Sequence, residues 1–362
     1  MSYLARNGSA GSAGSESGKS QLQASSAHLI LDTDDPDVDA ALLEASFKGD
    51  CNKSEVALAM GGDPNLRNES GNTSLILASC GGHSELIQLL IANGADVNLP
   101  GAGRRSALAS AAAVGCLAAL KILLENGARV NATDEDGRTP LFEACLWGHP
   151  EVAEELLERR ANPDHQDKTG RTALMEAACW GHDDVAKLLL MKATSRDTRD
   201  QSCNTALHYA SGNGHSEVVR LLLDARATID VESQGGETPL ARACTGGYAD
   251  IVKLLIARGA DVDKPDDKGN TPLIRAACEG NEQMAMLLLE NGANINSRNC
   301  KGRTAFAEAA LRGNFPVAGL LLQIEGENRP DIHLKESMLL KAAYRGLPLV
   351  ERSIFKFTMI AE

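Results

Sequence analysis

Aromatic side chains make up only 3% of this 362-residue chain: two Trp, four Tyr and six Phe. A core cannot be built on large rings here, so Ala and Leu must carry the packing. Positive charge is also short, with 36 Lys and Arg against 49 Asp and Glu and a net charge of -13. Nucleic-acid backbones and anionic membrane surfaces both call for a basic footprint, so neither is an expected partner. No long apolar run and no signal peptide stand out. Nine Cys are present, an odd number, and no two form a Cys-x-x-Cys pair. That pattern points to reduced thiols in an intracellular setting, without separating cytoplasm from nucleus. Catalytic and metal signatures are missing as well: no P-loop, no Gly-x-Ser-x-Gly elbow, no kinase set and no His-Glu-x-x-His. Gly101-Ala102-Gly103-Arg104-Arg105-Ser106 echoes a phosphate loop but lacks the third Gly and any βαβ context, so it reads as a hairpin tip with an altered turn.

What the chain does have is a period of 33 residues. Thr73, Thr139, Thr172, Thr205, Thr238, Thr271 and Thr304 recur at that interval, with Ser106 in the one gap. An Ala follows five residues after each and a Gly nine after each, from Ala78 and Gly82 to Ala309 and Gly313. One period further out, Ala45 with Gly49 and Ala342 with Gly346 keep the register, which gives about ten units between residues 34 and 358. A fixed period of this length means a solenoid, each unit packing only on its neighbours. Residues 1–33 read as a Ser- and Gly-rich N-terminal tail and 359–362 as a short C-terminal tail.

One unit, 271–303, shows the local logic. Thr271 caps a helix and Pro272 fits its first position. Leu273, Ala276 and Ala277 give it an apolar face, and Gly280 ends it with a left-handed residue. A second helix carries Leu287-Leu288-Leu289, Gly292-Ala293 stops it, and Asn299 to Gly302 supply a turn. Cys80, Cys145, Cys179, Cys244 and Cys278 follow the repeated Ala and read as small packing residues.

Thr139-Pro140-Leu141-Phe142-x-Ala144, Gly148-His149, Leu156-Leu157 and Gly259-Ala260-Asp261-Val262-Asp263 together resemble the ankyrin repeat. The resemblance covers about nine-tenths of the chain, and eight central units match in phase. It implies an all-α ankyrin-repeat solenoid in which each unit has a β-hairpin or loop, an inner helix, a turn and an outer helix. It also implies a binding groove between hairpin tips and inner helices. The units at 34–66 and 331–358 depart from the pattern and read as caps, the first helix being capped by Asp37 or Asp39. Arg160-Ala161, Ala193-Thr194, Arg226-Ala227 and Glu325-Gly326 replace Gly-Ala, at about 1 kcal/mol each where a left-handed residue is needed. These joints, 323–331 above all, are expected to be the looser ones.

Candidate site residues follow from register. Trp147 and Trp180 stand one residue before the repeated Gly in adjacent units, with Phe142 and Leu146 near the first and Met175 and Cys179 near the second. Arg105, Arg138 and Arg171 precede Ser106, Thr139 and Thr172. Trp and Arg are the types enriched in binding hot spots. Either these residues bind a partner or the Trp pair packs between inner helices. Four residues after each Thr stand Glu143, Glu176, Tyr209, Arg242 and Arg275, an acidic-to-basic gradient that either reads a complementary peptide or is a solvated face. Glu143 and Glu176 do not suggest an acid–base pair: adjacent inner helices stand about 10 Å apart and nothing is expected to bury either carboxylate. His83, His149, His182 and His215 recur once per unit after Gly and read as structural, as does His208. Family resemblance also marks Asn98, Asn131 and Asn296 as possible sites of asparagine hydroxylation, against plain hydrogen bonding within the hairpin. The expectation is a non-enzymatic adaptor, without cofactor or metal and monomeric, gripping a partner protein segment in the groove of units three to six. The alternative is the targeting or regulatory portion of a larger signalling protein or enzyme complex.

Overall fold

Residues 37–325, apart from Ala193, are described by a computed structural model. The tails, the cap expected at 331–358 and the joint at 325–326 fall largely or wholly outside the described residues. Within them are nine helix pairs. The inner helices are α1 (Val38–Lys48), α3 (Ser74–Gly81), α5 (Ala107–Val114), α7 (Pro140–Trp147), α9 (Ala173–Trp180), α11 (Ala206–Asn213), α13 (Pro239–Gly246), α15 (Pro272–Glu279) and α17 (Ala305–Arg312). The outer helices are α2 (Cys51–Ala59), α4 (Ser84–Ala92), α6 (Leu117–Glu125), α8 (Pro150–Glu158), α10 (Asp183–Met191), α12 (Ser216–Asp224), α14 (Ala249–Ala257), α16 (Glu282–Glu290) and α18 (Phe315–Glu325).

The repeated residues make these helices for the reasons their chemistry suggests. Thr139 Oγ1 accepts the Phe142 N–H at 3.2 Å, and the same cap recurs at Thr73, Ser106, Thr172, Thr238, Thr271 and Thr304. Asp37 caps α1, while Asp39 instead accepts the Asp63 N–H at 2.8 Å. Gly148 closes α7 at φ 73, and a Cβ there would lie 2.5 Å from the ring of His182 in the next unit. Both the left-handed backbone and the close approach therefore require Gly.

Inner helices pack on inner helices of the flanking units, and each pairs with its own outer helix. Leu75, Leu108, Leu141, Leu174, Leu207, Leu240 and Leu273 line one layer of the core. Leu90, Leu123, Leu156, Leu189, Leu222, Leu255, Leu288 and Leu321 line the other, and all are buried. Each such side chain contributes about 1.5–3 kcal/mol. Cys145 and Cys244 are buried among them; burial raises both thiols, that of Cys244 to about 12. Cys80 is exposed, and Cys179 and Cys278 are half-buried.

Two ladders run between units. Asn65, Asn98, Asn131, Asp164, Asp197, Asp230 and Asp263 each accept a backbone N–H 31 residues on, from Asp96 through to Asn294. At the tips, backbone N–H groups of Glu135, Lys168, Gln201, Gln234, Asp267 and Cys300 donate to carbonyls of the preceding tip at 2.7–3.0 Å. The tips are turns rather than strands. Among the described residues the isolated bridge Arg67–Thr73 is the only β pairing, because each tip is closed by a tight turn and bonded sideways to its neighbours.

Candidate functional site

The inner helices carry three rows of side chains across units three to five. The residue before the cap gives Arg105, Arg138 and Arg171; the fourth helical residue gives Ser110, Glu143 and Glu176; the last helical residue gives Val114, Trp147 and Trp180. Glu143 with Trp147, and Glu176 with Trp180, are four apart and so share a helix face. Helices α5, α7 and α9 pack consecutively, which sets the three end residues side by side. Trp147 is 56% exposed, Trp180 60% and Val114 44%. Large exposed apolar side chains are few among the described residues, and these three occupy the same position on three consecutive inner helices. Val114 escapes a search for aromatics, although its register, eight residues after Ser106, is that of the Trp pair.

The expected lining changes in several places. Phe142 and Met175 are core residues, 2% and 1% exposed, because their helical position faces the neighbouring inner helices. Leu146 is half-buried. The carboxylates of Glu143 and Glu176 are buried, contrary to the sequence expectation. Each is held by an arginine: Arg105 Nη2 donates to Glu143 Oε2 at 2.9 Å across the unit boundary, and Arg171 Nη1 lies 2.9 Å from Glu176 Oε1 within one unit. Burial raises the Glu176 carboxyl above its usual range, against the opposing pull of Arg171. They form no acid–base pair, since each is occupied by its own guanidinium.

Arg138 differs from its two equivalents. Its guanidinium lies 5.6 Å from the Phe142 ring centre, and its carboxylate neighbour, Asp136, is 4.0 Å away and 70% exposed. Arg171 stacks at 4.6 Å on Tyr209, whose hydroxyl donates to Asp200 at 2.5 Å. Burial, reinforced by that bond, pushes the Tyr209 hydroxyl up to about 12. Further along, Arg242 donates to Asn204 at 2.7 Å, and Arg275 reaches Asp266 at 2.7 Å and Glu237 at 2.6 Å. The basic end of the expected gradient is thus neutralised within the molecule.

The histidines hold the stack. His149, His182 and His215 hydrogen-bond through Nε2 to carbonyls of Ala113, Leu146 and Cys179, while His83 lays its ring over Gly49. His208 is fully buried, with Nδ1 on the Thr205 N–H and Nε2 on the Glu237 carbonyl. The side chains of Asn98 and Asn131 bond to the following unit rather than within their own hairpin: Asn98 Nδ2 donates to the Gly127 carbonyl and its Oδ1 accepts the Arg129 N–H, while its backbone N–H donates to Asp96 in its own turn. Asn296 donates its backbone N–H to Asn294. The described residues contain no cluster of His, Cys, Asp or Glu suited to a metal ion. Nor do they contain a helix long and apolar enough to cross a membrane.

A family model described as ankyrin repeats (three copies) matches residues 42–134, 130–200, 192–266 and 258–336. The chain belongs to the ankyrin repeat family. Among solved structures it is similar to the crystal structure of the human ASB11 ankyrin repeat domain, at 36% identity and a TM-score of 0.56, covering 63% of this chain and all of that one. No curated protein matches it. Ankyrin repeats generally mediate protein–protein interaction and are typically non-enzymatic.

Proposed function

We propose that the chain is a non-enzymatic adaptor that holds a segment of a partner protein against the inner helices of units three to six. The observation that carries this reading is the exposed row Val114, Trp147 and Trp180 on three consecutive units of a chain that has only two Trp. Exposing both to water costs stability that core placement would recover, and Trp is the residue type richest in binding hot spots. Arg138, in a long ion pair at 4.0 Å with the exposed Asp136, supplies a nearby charge. Glu143, Glu176, Arg105, Arg171 and Tyr209 act as a stiff floor whose internal bonds hold the row in place. A pre-ordered surface loses little entropy on binding, so affinity comes from preorganisation.

The test compares the intact chain with Trp147→Ala/Trp180→Ala in capture from a lysate, after circular dichroism and melting show both folded. Partners lost only from the variant support the groove. Identical partner sets on both proteins would show that neither Trp contributes to binding.

A further inference from the structure

From the outer helices we infer that the chain has a second docking site, on the seam between units eight and nine, for a partner protein segment that presents a large apolar side chain beside an Arg or Lys. Helices α16 and α18 form a cleft of about 460 Å³ there, lined by Met286, Leu289, Ile295, Leu320 and Ile324, with Glu290 the charged residue among its lining. Clefts that hold ligands run from about 300 to about 1,000 Å³ and are mostly apolar with a few placed polar groups. Met286 and Ile324 are each 43% exposed, so the apolar lining opens to water. Register sets this seam apart. The Met286 position carries Gln88, Lys121, Glu154, Lys187, Arg220 and Lys253 in units two to seven. The Ile324 position holds no large apolar residue in units two to eight, with Arg159, Lys192 and Arg258 among its occupants. On the seam between units three and four, Lys121 and Arg159 both reach Glu155, at 3.5 and 3.1 Å. Five periods on, the same three positions are Met286, Ile324 and Leu320. An ion-paired surface has become an apolar one, a change that water disfavours and a partner can use.

Charge fixes the rest of the ligand. Asp224 and Arg258 form an ion pair at 2.8 Å across the seam of units six and seven. Two periods on, Asp224 becomes Glu290 but Arg258 becomes Ile324. The acid is kept and its cation is replaced: no Lys or Arg is among the described residues that line the cleft, and neither α16 nor α18 contains one. A partner cation placed there does for Glu290 what Arg258 does for Asp224, while the apolar side chain next to it fills the cleft. A partner carboxylate would meet Glu290 with like charge, and a purely apolar segment would desolvate Glu290 without pairing it. The chain's net charge of -13 also favours the approach of a basic partner. Taken with the proposed groove on the inner helices, this seam gives the stack two separate faces, so two partners can be held at once, as an adaptor requires.

The test is a display selection of random peptides on the full chain, with counter-selection against Met286→Lys/Ile324→Arg. Those substitutions copy Lys121 and Arg159, which another seam already carries, and both positions are partly exposed; melting checks that the variant folds. Enriched peptides are expected to set Trp, Phe, Leu or Met close to an Arg or Lys. They should lose about thirty-fold in affinity on the variant and bind unchanged to Trp147→Ala/Trp180→Ala. On Glu290→Lys, whose new ammonium suits the C-terminal end of α16, selection should exchange the basic residue for Asp or Glu. An acidic or uncharged consensus on the native chain, an unchanged consensus on Glu290→Lys, or no enriched sequence overturns the inference. Enriched peptides that also need the Trp pair overturn the second site. A consensus that reproduces part of the chain's own sequence after Glu325 makes the chain itself the occupant. A dimer by light scattering that dissociates in Met286→Lys/Ile324→Arg makes a second copy the occupant. Either of these overturns the separate partner.

Discussion

Replacing Trp147 and Trp180 with Ala should leave the melting temperature within a degree or two, because both side chains are more than half exposed, whereas a buried equivalent such as Leu156→Ala should cost about 2–5 kcal/mol. Thermal melts of the three proteins check this. His208 gives a residue-scale prediction in pH. Burial, ahead of any bond or neighbouring Arg, lowers its pKa from 6.5 to about 4. The unfolded chain then binds the extra proton first, so stability rises with pH through this window and is lost as pH falls from 6.5 towards 4. The loss is on the order of 3 kcal/mol. Urea melts across that range should show a steeper decline for the native chain than for His208→Gln, whose amide oxygen can still accept the Thr205 N–H; parallel declines would refute the assignment. The end-of-helix position of both Trp was legible because the repeated Gly fixes where each inner helix stops. The burial of Glu143 was not, because its partner Arg105 lies 38 residues upstream and only stacking brings the two together.

Helix signals were the most legible part of the chain, since Thr, Pro and Gly act locally through caps and a left-handed turn. The replaced Gly-Ala joints were legible too: Arg160 and Arg226 adopt φ 65 and 63, where Gly94, Gly127, Gly259 and Gly292 stand in other units at φ 83–92. Arg226→Gly should therefore raise stability by up to about 1 kcal/mol in equilibrium unfolding. Gly214→Val should do the reverse and strongly: Gly214 sits at φ 86, and an added Cβ would lie 2.6 Å from the Tyr248 ring of the next unit. A melt without a clear downward shift for this variant would contradict the stacking. The shape of the tips was less legible, because their backbone bonds run to the neighbouring unit and a single repeat read alone cannot show them.

Across the whole molecule, stability is the sum of unit terms and nearest-neighbour seams, so a cut seam should be felt locally before it is felt globally. Asp197 accepts both the backbone N–H and the hydroxyl of Thr228, at 2.9 and 2.7 Å. Asp197→Ala should raise hydrogen exchange around residues 194–230 more than in units two and three; a uniform change along the chain would argue against a neighbour-only stack. The period of 33 made the solenoid legible across the nine helix pairs of the described residues. It could not show which groove charges cancel, because Arg105 pairs across a unit boundary with Glu143 while its equivalent Arg171 pairs within its own unit with Glu176. The central claim, that a partner covers the row on units three to five, has a built-in reporter, since the chain's two Trp both stand in that row. Intrinsic fluorescence of the full chain, titrated with a captured partner, should start red-shifted and readily quenched by acrylamide. It should then move to the blue and become protected at saturation. A spectrum and quenching unchanged at saturation would place the partner elsewhere on the molecule and contradict the account.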